Sequence, residues 1–138
     1  MLTSSIQHIK SALASYDWID SVEFLRFDVV DTDLEKILLY RVRVQLRNGN
    51  LLEACERLTE NSKTRLLAQT KYHFHWQDNQ GKLIRRWDNA PHHPEIETFP
   101  HHLHLEPENH CRACEAPTLA DVLEEIDLFY HGGENHDR

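Results

Sequence analysis

Two stretches of the chain alternate strictly between two sets of side chains, the signature of strands with one buried face. From Leu38 to Arg47, Leu38, Tyr40, Val42, Val44 and Leu46 fall on one side and Leu39, Arg41, Arg43, Gln45 and Arg47 on the other. From Leu66 to Trp76, one side collects Leu66, Ala68, Thr70, Tyr72, Phe74 and Trp76, the other Leu67, Gln69, Lys71, His73 and His75. Residues 21–30 are rich in β-branched and aromatic types and run into Asp31-Thr32-Asp33, so they predict another strand ending in a turn. Asn48-Gly49 predicts a tight hairpin turn with two positive φ angles and a return strand from Leu51 to Leu58. Asp78-Asn79-Gln80-Gly81 predicts a second hairpin, returning through Lys82 to Trp87.

Helical spacing occupies both ends. Ile6, Ile9, Leu13 and Tyr16 follow Thr3-Ser4-Ser5, whose hydroxyls are expected to cap the helix start. Thr118 and Asp121 have capping-box spacing, and Leu119, Val122, Leu123, Ile126 and Phe129 continue the period to a stop expected at Gly132-Gly133. Between the hairpins and this helix, Pro91, Pro94, Pro100 and Pro107 interrupt regular ladders, and a long His/Pro-rich loop is expected. The sum is an α+β fold: an antiparallel sheet of about five strands, with the N- and C-terminal helices packed on one face. At 138 residues the chain is expected to form one domain, 1–138.

Charge changes this picture more than overall composition does. The formal net charge is −8, yet residues 36–87 hold eleven Lys/Arg against four acids, leaving four basic and nineteen acidic side chains elsewhere. A basic middle between acidic ends can set a local positive face against phosphate. No apolar run is long enough for a membrane span and the start lacks a signal peptide, so a cytoplasmic location is expected. Three Cys argue against a disulfide scaffold.

Three groups could carry chemistry. Arg41, Arg43, Arg47, Lys71, His73 and His75, joined by Arg85 or Arg86, form the polar side of the sheet, either a solvated surface or a phosphate-binding one. The segment Arg86-Trp87-Asp88-Asn89-Ala90-Pro91-His92-His93-Pro94 with Phe99-Pro100-His101-His102-Leu103-His104 concentrates imidazoles, which can accept and return a proton near neutral pH. Cys111 and Cys114, with two loop His, could hold zinc, although one C-x-x-C supplies half a ligand set. Cys55, in mid-strand, is expected to pack as a small hydrophobe.

The order and spacing of Lys71-Tyr72-His73-Phe74-His75-Trp76-Gln77-Asp78, of residues 86–94 and of residues 99–104 resemble the TumE family of toxins, with the capped helix from Pro117 extending the resemblance over about residues 70–128. The resemblance implies a small cytosolic toxin paired with a cognate antitoxin protein and inhibiting growth through RNA. Glu106 to Ala116 departs from the family pattern, in which an acidic or variable spacer stands in place of the Cys pair, so zinc is not carried over.

These features together point to a metal-independent endoribonuclease without a cofactor. In it His73, His75, Asp88, His92 and His93 are the catalytic candidates, and Arg41, Arg43, Lys71, Arg85, Arg86, His101 and His102 the RNA-phosphate ligands. Two alternatives stand beside it. One is a non-enzymatic protein that binds RNA, the ribosome or the antitoxin; the other is a metal-dependent nuclease using the His loop. A homodimer is compatible with all three.

Overall fold

The computed structural model describes residues 1–91, 95–105 and 110–136. Helix α1 (Leu2–Leu13) is followed by β1 (Ile19–Asp31), β2 (Glu35–Leu46), β3 (Leu51–Asn61), β4 (Leu67–Gln77), β5 (Leu83–Asp88), β6 (His102–Leu105) and β7 (His110–Ala113), and α2 (Leu119–His136) closes the chain. The strands form one seven-stranded sheet in chain order. Every neighbouring pair is antiparallel. The α+β expectation with two helices on one sheet face holds, but two strands arise within the segment expected to be a long loop. The outer edge of β5 has backbone groups to pair, and His102 to Leu105 contain no proline, so their N–H groups can supply that ladder.

The alternation read from β2 and β4 decides what is buried. Leu38, Tyr40, Val42, Val44, Tyr72, Phe74 and Trp76 are almost completely enclosed, with Leu52 and Ala54 between them. Ile9 and Leu13 of α1 and Val122, Leu123 and Ile126 of α2 cover this layer. The buried Glu56 lies within it and accepts hydrogen bonds from the Tyr40 hydroxyl and, at 2.6 Å, from Gln69 Nε2. Strand β1 is the sheet edge and stays largely exposed, including Leu25, Val29 and Val30.

Local details differ from expectation at three places. Only Gly49 has a positive φ, +92°, in the first hairpin. Leu46 O accepts from Gly49 N at 2.9 Å and Leu46 N donates to Asn50 O, so the loop is an ordinary turn followed by one left-handed glycine. Helix α1 begins at Leu2, ahead of the Ser/Thr run, because the buried Glu60 of β3 accepts the Leu2 N–H at 2.7 Å. Helix α2 runs through Gly132-Gly133 to His136; glycine weakens a helix without forbidding it. Its start is as expected: Thr118 N donates to Asp121 Oδ2 at 2.9 Å and Asp121 N to Thr118 Oγ1 at 3.1 Å.

Candidate active site

The face of the sheet opposite the helices is polar because the residues between the core positions are polar. Register aligns them into rows: Arg43 beside Glu53 and Glu53 beside His75; Arg41 beside Cys55, Cys55 beside His73 and His73 beside Asp88. The rows continue from His75 to Arg86 and His104, and from Asp88 to His102. Four strands thus bring Arg41, Arg43, His73, His75, Arg86, Asp88 and His102 onto one face, and Lys71 lines the same cleft as His73, Arg86 and Asp88. That cleft measures about 510 Å³ and is continued by Thr70, Asn89 and Pro91. A second pocket of about 410 Å³ lies on the helix side, between Ile9, Glu56, Leu58 and Leu119. The site is assigned to the open face, where the imidazoles and cations converge.

Two expected ligands lie elsewhere. Arg85 is opposite Trp76 on the helix side and pairs with Glu125 of α2. The buried Trp87 dictates this, since residues two apart in a strand share a face. His101 meets Tyr72, its Nδ1 3.0 Å from the Tyr72 hydroxyl, and stays outside the cluster. His92 and His93 lie outside the described residues. The backbone of Cys111 lies opposite His104 in β7, while the Cys114 thiol donates to Glu115 O at 3.0 Å.

Glu53 was not among the expected site residues, yet it organises the basic row. Its carboxylate accepts from Arg41 at 2.8 Å and from Arg43 at 3.5 Å, with His73 Nε2 3.9 Å away. Burial pushes its carboxyl pKa up, but the two guanidiniums prevail and hold it below the usual range. Leu52 and Ala54 on the core side signal in the sequence that Glu53 points the other way. Arg43 Nε is buried and makes no hydrogen bond among the described residues.

Charge and hydrogen bonding fix the imidazoles. Burial and then Arg86 lower the pKa of both His73 and His75. Arg86 Nη1 is 3.3 Å from His75 Nδ1. A guanidinium only donates, so Nδ1 carries the lone pair and Nε2–H donates to Gln77 Oε1 at 3.1 Å. His75 is therefore a neutral ring with its lone pair engaged. His73 has no such cap among its described contacts, and is the better placed proton acceptor.

Asp88 is the hub of the far side. Its side chain is 8% exposed, Arg86 Nε donates to Oδ2 at 3.0 Å and Ala90 N to Oδ1 at 3.1 Å. His102 Nε2 lies 2.8 Å from Oδ1 and His104 Nε2 3.7 Å from Oδ2. His102 is 1% exposed, and its Nδ1 is 2.9 Å from Pro100 O.

Among the described residues no helix is long and apolar enough to cross a membrane. No curated protein and no solved structure matches the chain at a significant level. A family model described as toxin TumE matches residues 10–129, which takes in the last turn of α1, all seven strands and most of α2. With the motifs of β4, β5 and β6 now aligned on one sheet face, and the match spanning most of the sequence, the chain belongs to the TumE family of toxins.

Proposed function

We propose that this toxin inhibits growth as a cytoplasmic endoribonuclease whose cleft is the open sheet face. The observation that carries the reading is the convergence of His73, His75, Arg86, Asp88 and His102 from β4, β5 and β6, beside Arg41 and Arg43 of β2. Arg43, Arg41 and Lys71 hold the phosphate backbone, a contact worth more once burial weakens competing water. His73, held neutral by burial and by Arg86, takes the proton of the RNA 2′-hydroxyl. The 2′-oxygen then bonds to phosphorus, the bond to the 5′-oxygen breaks, and that oxygen takes up a proton from solvent water. A 2′,3′-cyclic phosphate and a 5′-hydroxyl result. In this simplest form the reaction is metal-independent, because the substrate supplies the nucleophile. Arg86 offsets the added negative charge at phosphorus.

Membership of a toxin family implies a cognate antitoxin. On this reading the antitoxin occludes or distorts the open face. The test is incubation of the purified chain with structured and single-stranded RNA, with end-group analysis of the products. Cleavage leaving cyclic phosphate ends, lost in His73→Ala, supports the nuclease. Tight RNA or ribosome binding without any cleavage supports instead a non-enzymatic inhibitor, and a homodimer that hides the face in the active sample argues against both.

A further inference from the structure

The Asp88, His102 and His104 cluster brings a carboxylate and two imidazoles together on β5 and β6. Pro100 O can only accept, so the Nδ1 of His102 carries the hydrogen in that 2.9 Å contact. His102 Nε2 lies 2.8 Å from Asp88 Oδ1, close enough for both atoms to share one cation, whether a proton or a metal ion. The third donor, His104 Nε2, closes on the same carboxylate from the next outward position of β6.

All three donor atoms lie within 4.8 Å of one another. Ligands held about 2.0–2.2 Å from one ion stand up to roughly 4 Å apart, so small side-chain rotations complete the set. The rest of the arrangement matches how proteins prepare metal ligands. A backbone carbonyl on the far nitrogen of a histidine fixes its tautomer and its aim. Direct pairing of Asp88 with His102, and the two-residue step to His104, place all three on rigid strand backbone. Arg86 at Oδ2 and Ala90 N–H at Oδ1 compete for the carboxylate, yet each oxygen keeps a second lone pair.

We infer that Asp88, His102 and His104 bind one divalent transition ion of the zinc type, with its remaining coordination positions turned to the cleft. Two imidazoles and one carboxylate suit such an ion better than magnesium or calcium, which take mainly oxygen ligands. Binding does not depend on the RNA-cleavage reading. Its catalytic consequence does rest on that reading: the ion places positive charge beside the leaving 5′-oxygen, one strand away from His73, and the cleavage becomes metal-assisted.

The test uses the full chain, dialysed against EDTA and titrated with Zn(II) alone by calorimetry, with metal content measured after desalting. One ion per chain is expected, with affinity falling by at least about tenfold in His104→Gln and in Asp88→Asn. His104 is 19% exposed, so its variant serves if Asp88→Asn fails to fold. A folded wild-type chain that takes up no Zn(II), or uptake unchanged in both folded variants, overturns the site. RNA cleavage assayed in parallel separates the two proposals. A chain that binds the ion but cuts no RNA keeps the metal site and removes the nuclease, and a chain that cuts fully in EDTA without taking up Zn(II) does the reverse.

Discussion

His73 and His75 are neighbours on one face with different electrostatic assignments. His75 is tied between Arg86 and Gln77, whereas His73 lies between Glu53 of β3 and Asp88 of β5. His73→Ala should therefore lower RNA cleavage by about 10²–10⁴, the usual cost of a lost proton-transfer group, with circular dichroism unchanged. The double change His73→Ala, His75→Ala should abolish growth inhibition without unfolding the chain. Arg43→Ala should weaken RNA binding at all sequences and reduce the salt slope by about one, measured as log affinity against log salt.

The depressed histidine values also fix a pH dependence. A base must be unprotonated, so the acidic limb of the rate profile should fall below the ordinary imidazole value of about 6.5. Stability follows with the same sign. Above about 6.5 both rings are neutral whether folded or not, and below it the unfolded chain binds protons that the fold resists, so stability drops with falling pH through the folded values. The stability difference between wild type and the double variant in denaturant titrations should change with pH only on that acidic side. A rate limb at or above 6.5 would remove His73 as the base.

At the scale of elements, the strands with long alternating patterns were legible and the short ones were not. Ten residues of period two between Leu38 and Arg47 override other readings, but four residues from His102 to Leu105 in a proline-rich setting give too few alternations to distinguish a strand from a loop. The position of Arg85 was readable in principle from Trp87, as that of Glu53 was from Leu52 and Ala54. What no local pattern reveals is that β6 lies beside β5, which puts His102 and His104 against Asp88. Caps and turns offer quantitative checks here. Asp121→Ala removes the acceptor for Thr118 N–H and should cost about 1 kcal/mol in urea unfolding. Gly49→Ala should cost about 1–2 kcal/mol, since φ is +92° and the new Cβ would lie 3.0 Å from Asn79 Cβ in the neighbouring hairpin.

At the scale of the molecule, sheet order equals chain order, so each strand pairs first with a partner already near it in sequence. Such local pairing closes short loops and requires no late threading. It also gives the protein a direction in time. As the chain leaves the ribosome, β1 to β4 can form ladders, and the basic row of Arg41, Arg43 and Glu53 exists before the imidazole–carboxylate cluster does. The cluster is completed only when His102 and His104 of β6 reach Asp88, some three quarters of the way along the sequence. On the endoribonuclease reading, a nascent chain lacks the complete site until synthesis is nearly over, and a chain truncated before β6 should cleave no RNA.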